Sequence, residues 1–137
     1  MGKYIPLSVP SLNGNELEYV KECIDTEWVS SAGKYVDLFE NKIADYTGSK
    51  YAIACVNGTS ALQVSLRLIG VCNKDEILVP SLTFIAPINS IRYLGASPIF
   101  LDSDKFYNLD FEKTIDFILN NTIYKNGFSY NKVTGKR

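Results

Sequence analysis

Between Tyr51 and Asn121 the chain repeats one pattern three times: a short apolar run, a turn, then apolar residues at helical spacing. The runs are YAIACV (51–56), EILVP (76–80) and SPIFLD (97–102). Each is the length of a strand buried on both faces, too short for a stable helix. The segments that follow, TSALQVSLRLIG, APINSIRYLG and NLDFEKTIDFILNN, carry apolar residues three and four apart; Gly70 and Gly95 stop the first two, and Asn108 or Asp110 caps the third. Strands alternating with helices predict an α/β fold: three layers around a mostly parallel sheet. Right-handed crossovers would then gather the strand C-termini along one edge, where ligands bind in such sheets.

Two helices are predicted ahead of this core. One runs from Asn15 to about Thr26, with Leu17, Val20, Cys23 and Ile24 on one face. The other runs from Tyr35 to Tyr46, with Val36, Phe39, Ile43 and Tyr46 together and Gly48 as its left-handed cap. The expected organisation is an amino-terminal helix and loop (1–34), an α/β core (35–120) and a polar tail (121–137) that reads as an interrupted domain. That tail, with a sheet edge left open, suggests the first part of a longer protein.

Composition excludes several classes. With 14 basic and 15 acidic residues and no basic run, no field draws nucleic acid or an anionic membrane. No stretch has the roughly 20 apolar residues of a membrane span, and the start lacks a signal-peptide core, so a cytoplasmic protein is expected. Histidine is absent, and Cys23, Cys55 and Cys72 show no CxxC spacing. Cys/His zinc sites and Ser-His or Cys-His nucleophiles are therefore not expected, and the thiols read as reduced and mostly buried. Acid–base chemistry falls to Lys, Tyr, Asp, Glu or a cofactor.

Three strand ends offer chemistry. At VNGTSAL, Asn57 and Gly58 turn the chain and Thr59 or Ser60 opens a helix whose first N–H groups have no intrahelical partner. Helix dipole, glycine and a threonine hydroxyl suit a phosphate monoester; an ordinary strand–helix turn accounts for the same residues. Phe84, after the second strand, can stack on a flat heterocycle or fill core. Asp102 and Asp104, after the third, read most simply as turn residues. Trp28, the sole tryptophan, sits in a Ser/Gly loop with Ser30 and Ser31, and either anchors that loop or binds a sugar or nucleotide.

The stretches IPLSVPSL, WVSSAGKYVDLFENKIADYTGSKYAIACVNGTSALQVSLRLIGV, DEILVPSLTFIAPINSIRYLGASPIFLDSD and NLDFE, in this order, resemble the amino-terminal part of the DegT/DnrJ/StrS family of pyridoxal-phosphate-dependent sugar aminotransferases. They cover most of residues 5–112. The tail NGFSYNKVTGKR resembles the subgroup acting on UDP-linked 4-keto sugars. The resemblance implies a fold-type I large domain, a homodimer in the full-length form, and pyridoxal 5′-phosphate as cofactor. It implies amino transfer from glutamate to a nucleotide-linked 4-keto sugar in polysaccharide biosynthesis. It places the cofactor phosphate on Gly58 and Thr59 with Asn57 adjoining, the pyridine ring on Phe84, and the substrate near Trp28, Ser30 and Ser31. The family's cofactor-bonding lysine and pyridinium-pairing aspartate match nothing among these 137 residues, so none of the 11 lysines is assigned a catalytic role and the chain alone is expected to be inactive. A non-catalytic phosphate- or nucleotide-sugar-binding module, and a truncated product without activity, stand as alternatives.

Overall fold

A computed structural model describes residues 4–137. The chain divides into two compact units, Met1–Ala54 and Cys55–Arg137. In the first, α1 (Glu16–Asp25) and α2 (Lys34–Thr47) form within two residues of where apolar periodicity sets them. Gly48 caps α2 in the left-handed conformation (φ 69°), a geometry that glycine adopts without a Cβ clash. The helices are tied through Glu22: Lys34 Nζ donates to Oε1 at 2.6 Å and Tyr35 Oη to Oε2 at 2.5 Å. The Lys34 and Tyr35 hydrogen bonds hold the Glu22 carboxyl below its usual range. The same carboxylate, together with desolvation, pushes the Tyr35 phenol up to about 12.

In the second unit α3 (Gly58–Leu68), β1 (Glu76–Pro80), α4 (Ile85–Tyr93), β2 (Ser97–Leu101) and α5 (Phe111–Asn121) follow in order. β1 and β2 pair in parallel, Glu76 opposite Ser97 and Pro80 opposite Leu101. α4 is thus the crossover of a βαβ unit, and Gly95, left-handed at φ 75°, turns the chain from it into β2. Val79, Ile91 and Ala96 form the buried core, with Leu66, Val71, Ile77 and Ile88 packed around them. Asp110 caps α5 by accepting the Lys113 N–H at 3.0 Å.

Three expectations are corrected. YAIACV joins no ladder among the described residues. A strand needs a neighbour for its alternate N–H and C=O groups, and here the Ala54 N–H goes instead to the Glu40 carboxylate at 2.7 Å. The described sheets are accordingly two-stranded, β1–β2 and a separate hairpin, rather than a three-layer, mostly parallel sheet. Without those layers Cys55 and Cys72 are exposed and Cys23 is half-buried, not the buried thiols expected.

The polar tail is ordered. β3 (Thr122–Lys125) and β4 (Phe128–Asn131) pair antiparallel across Asn126-Gly127, whose positive φ values of 54° and 83° fit a two-residue hairpin turn. Beyond it, the Arg137 main chain lies along β1: Glu76 N–H donates to Arg137 O at 2.7 Å and Arg137 N–H to Lys74 O at 3.1 Å. The Arg137 guanidinium meets the Asp75 carboxylate at 2.5 and 2.7 Å and the Gly70 carbonyl at 2.9 Å.

Candidate functional site

In the second unit the site begins where α3 starts. Asn57 is extended (φ −164°, ψ 170°) and its side-chain Oδ1 accepts the Ser60 N–H at 2.9 Å, a helix N-cap. The Asn57 carbonyl takes the Ala61 N–H at 3.1 Å. No protein acceptor among the described residues takes the N–H of Gly58 or Thr59. These are the first two donors of an 11-residue helix, at the positive end of its dipole. A Cβ built on Gly58 meets no atom within 4 Å beyond its chain neighbours and its own helix backbone, so the turn is uncrowded on that side. Two unpartnered amides beside a glycine and a threonine, with the Asn57 Nδ2 group free to donate, fit the phosphate of pyridoxal phosphate.

Phe84 caps α4 with an extended backbone (φ −63°, ψ 159°), and its ring is 88% exposed. It does not fill core. α3 and α4 pack together, and Ser90 Oγ on α4 donates to Thr59 O at 3.0 Å. Phe84 precedes Ser90 by six residues, about 9 Å of helix rise. Both candidate cofactor elements therefore belong to one helix pair, opened by the turn at 57–59 and by the C-terminal end of β1. Ser81 N–H donates to Leu101 O at 2.8 Å, so the loops after β1 and β2 leave the sheet from the same edge.

At the end of β2 the turn reading holds. Asp104 Oδ1 accepts the Phe106 and Asn108 N–H groups at 2.8 and 3.0 Å, and Asp102 pairs with Lys113 Nζ at 2.7 Å. That bond lowers the Asp102 carboxyl from its ordinary range and raises Lys113. Both groups are engaged with each other and are not poised for chemistry.

In the first unit, Trp28 anchors its loop: Nε1 donates to Ala32 O at 2.6 Å, and the indole lies against Gly33. A Cβ at Gly33 would fall 2.0 Å from Nε1, and its φ of 148° is strained for other residues, so glycine is required there. The ring nevertheless stays 60% exposed and lines a pocket of about 330 Å³ with Ser30, Glu22 and Lys34. Ser31 is exposed and is not among the residues lining it. Ser90 is not among the candidate residues; its only sequence signal is that of a small polar residue within an apolar helical segment.

The family model of the DegT/DnrJ/EryC1/StrS aminotransferases matches residues 10–125. The chain belongs to that family. The GDP-perosamine synthase of Escherichia coli O157:H7 is 52% identical over 102 residues, 74% of this chain and 28% of that protein. The GDP-perosamine synthase of Caulobacter vibrioides is 50% identical over 110 residues, 80% of this chain and 30% of that protein. The chain thus spans less than a third of these curated relatives. Among solved structures, a putative sugar aminotransferase from Streptococcus pneumoniae in its PLP form superposes with a TM-score of 0.74 at 26% identity, over 82% of this chain and 29% of that one. The family match accords with the resemblance read from the motifs, and it makes pyridoxal phosphate the family's cofactor. The expected UDP-sugar subgroup finds no support in these two relatives, which are named for a GDP-linked sugar. The tail motif that suggested UDP, residues 126–137, lies wholly beyond the family match, which ends at residue 125.

Proposed function

We propose that this chain carries the phosphate-binding half of the cofactor site in a sugar-nucleotide aminotransferase. The observation carrying this reading is the pair of amides at Gly58 and Thr59 without a protein acceptor among the described residues, at a helix start in a chain of the aminotransferase family. Gly58 and Thr59 hold the phosphate, Asn57 fixes the turn through Ser60, and Phe84 offers a ring face to the pyridine. When bound, pyridoxal 5′-phosphate supplies an aldehyde carbon that takes up the amino group and a ring that spreads negative charge. Trp28, Ser30 and Ser31, in the first unit, are the substrate-binding candidates: the exposed indole offers a stacking surface and the hydroxyls offer donors. The whole protein moves an amino group from glutamate to a GDP-linked 4-keto sugar, acts as a homodimer and works in the cytoplasm; the names of its relatives support GDP over UDP. No residue of this chain is assigned the covalent or proton-transfer role.

Equilibrium dialysis with pyridoxal phosphate and with pyridoxal tests this reading. Surface lysines take up pyridoxal phosphate more readily than pyridoxal, whose hydroxymethyl closes on the aldehyde, so a parallel dialysis with excess inorganic phosphate as competitor isolates the phosphate contribution. At least tenfold tighter retention of the phosphorylated compound is expected, and equal retention overturns the reading. The same 137 residues, given glutamate and a GDP-linked 4-keto sugar, are expected to show no turnover; turnover above a protein-free control would contradict the absence of a catalytic lysine. Competition between GDP and UDP for the Trp28 pocket, followed by tryptophan fluorescence, is expected to favour GDP, and a UDP preference would restore the other subgroup.

A further inference from the structure

We infer that Ser90 is a positioning residue for the phosphate-binding turn, holding the first turn of α3 from behind. The inference rests on the phosphate reading of Gly58 and Thr59. Ser90 is fully buried, with 0% exposure, in the second turn of α4. A serine inside a helix ordinarily returns its hydroxyl to the carbonyl four residues back. Here that bond exists, to Ala86 O at 2.9 Å, but the proton is shared with Thr59 O at 3.0 Å, a contact 31 residues away in sequence. Thr59 O belongs to the peptide whose N–H is that of Ser60, and that N–H is bound by Asn57 Oδ1 at 2.9 Å. A continuous chain results: the Ser90 hydroxyl, the Thr59–Ser60 peptide, the Asn57 side chain.

This chain does two things for an anion. It fixes the plane of the Thr59–Ser60 peptide, and with it the direction of the preceding N–H groups, at a helix start that would otherwise fray around Gly58. It also polarises the linked groups, since hydrogen bonds in series strengthen one another. With Oδ1 of Asn57 committed to Ser60, its Nδ2 group remains a donor. Burial matters, because no water can replace the hydroxyl where exposure is nil.

A competing role for Ser90 is steric: a small residue that lets α3 and α4 approach. Ser90→Ala keeps the close approach and removes only the hydroxyl, so the two roles give different results. With pyridoxal phosphate and pyridoxal each titrated by dialysis, Ser90→Ala is expected to weaken the phosphorylated compound three- to fivefold while pyridoxal is unchanged. Ser90→Cys, close in size with a weaker donor, is expected to fall between the two. Thr114→Ala is the stability control: it removes a buried hydroxyl bonded to Asp110 O at 2.6 Å on α5 and should leave both affinities alone. An unchanged ratio of the two affinities in Ser90→Ala, or an equal loss for both compounds, overturns the inference. A wild-type chain without preference for the phosphorylated compound overturns the phosphate reading itself, and the inference with it.

Discussion

Alanine at Gly58 is expected to weaken pyridoxal phosphate at least tenfold, about 1.4 kcal/mol, without lowering the melting temperature. The substitution is unusually clean. Gly58 is not among the glycines with positive φ, so alanine fits its backbone, and beyond its chain neighbours and its own helix backbone no atom lies within 4 Å of the added Cβ. Alanine is also the better helix former, so the fold should be unaffected or slightly more stable. The methyl would instead meet a phosphate drawn close to the backbone at this glycine. Equilibrium dialysis reads the affinity and circular dichroism the melting. Unchanged affinity with an intact fold would mean that nothing binds across that glycine.

The second large effect concerns the tail. Asp75→Asn is expected to destabilise the Cys55–Arg137 unit by about 2 kcal/mol above pH 5. The Asp75 side chain is only 3% exposed; it receives two bonds from Arg137 and the Cys72 N–H at 2.7 Å. Asparagine keeps the shape but turns an N–H₂ toward one of these donors. The loss is set below that of a fully buried pair because the Arg137 side chain is 31% exposed and retains the Gly70 carbonyl. Arg137, foremost, lowers the Asp75 carboxyl in the folded chain relative to its ordinary value of 3.8. As pH falls, the unfolded chain therefore takes up this proton first. The contribution is complete above the unfolded value and disappears as pH drops through the lowered folded one. Thermal melts should show wild type above Asp75→Asn by roughly 6–10 °C near neutrality, with the gap closing below pH 4. A gap that does not narrow as pH falls below 4, or none at pH 7, would contradict the ion pair's role.

Local chemistry was legible wherever a residue acts on its own neighbours. The apolar spacing of α1, α2 and α5, Gly48 as a left-handed cap and Asp110 as an N-cap all depend on residues within one or two turns. The hairpin at Asn126-Gly127 carries a local signal too, a two-residue turn between Lys125 and Phe128, masked by the polarity around it, which reads as loop. Pairing was less legible. YAIACV has every property of a buried strand, but a strand exists only with a partner, and none is offered among the described residues. At the candidate site, the Asn57-Gly58-Thr59 turn was visible in sequence because a helix start is local. Ser90 was not, because its role arises from α4 lying against α3, a relation that no spacing encodes. The UDP expectation rests on a short tail motif and not on the matched core, whose named relatives at 50 and 52% identity carry GDP in their names.

The central claim is that the Gly58 and Thr59 amides receive a phosphate, and amide NMR observes them directly. In a ¹⁵N-labelled chain titrated with pyridoxal phosphate, the Gly58 and Thr59 N–H resonances should move downfield and saturate together, as hydrogen bonds to an anion require. Pyridoxal should leave both in place. If those two resonances stay fixed, or move equally with pyridoxal, the phosphate is not bound at this turn.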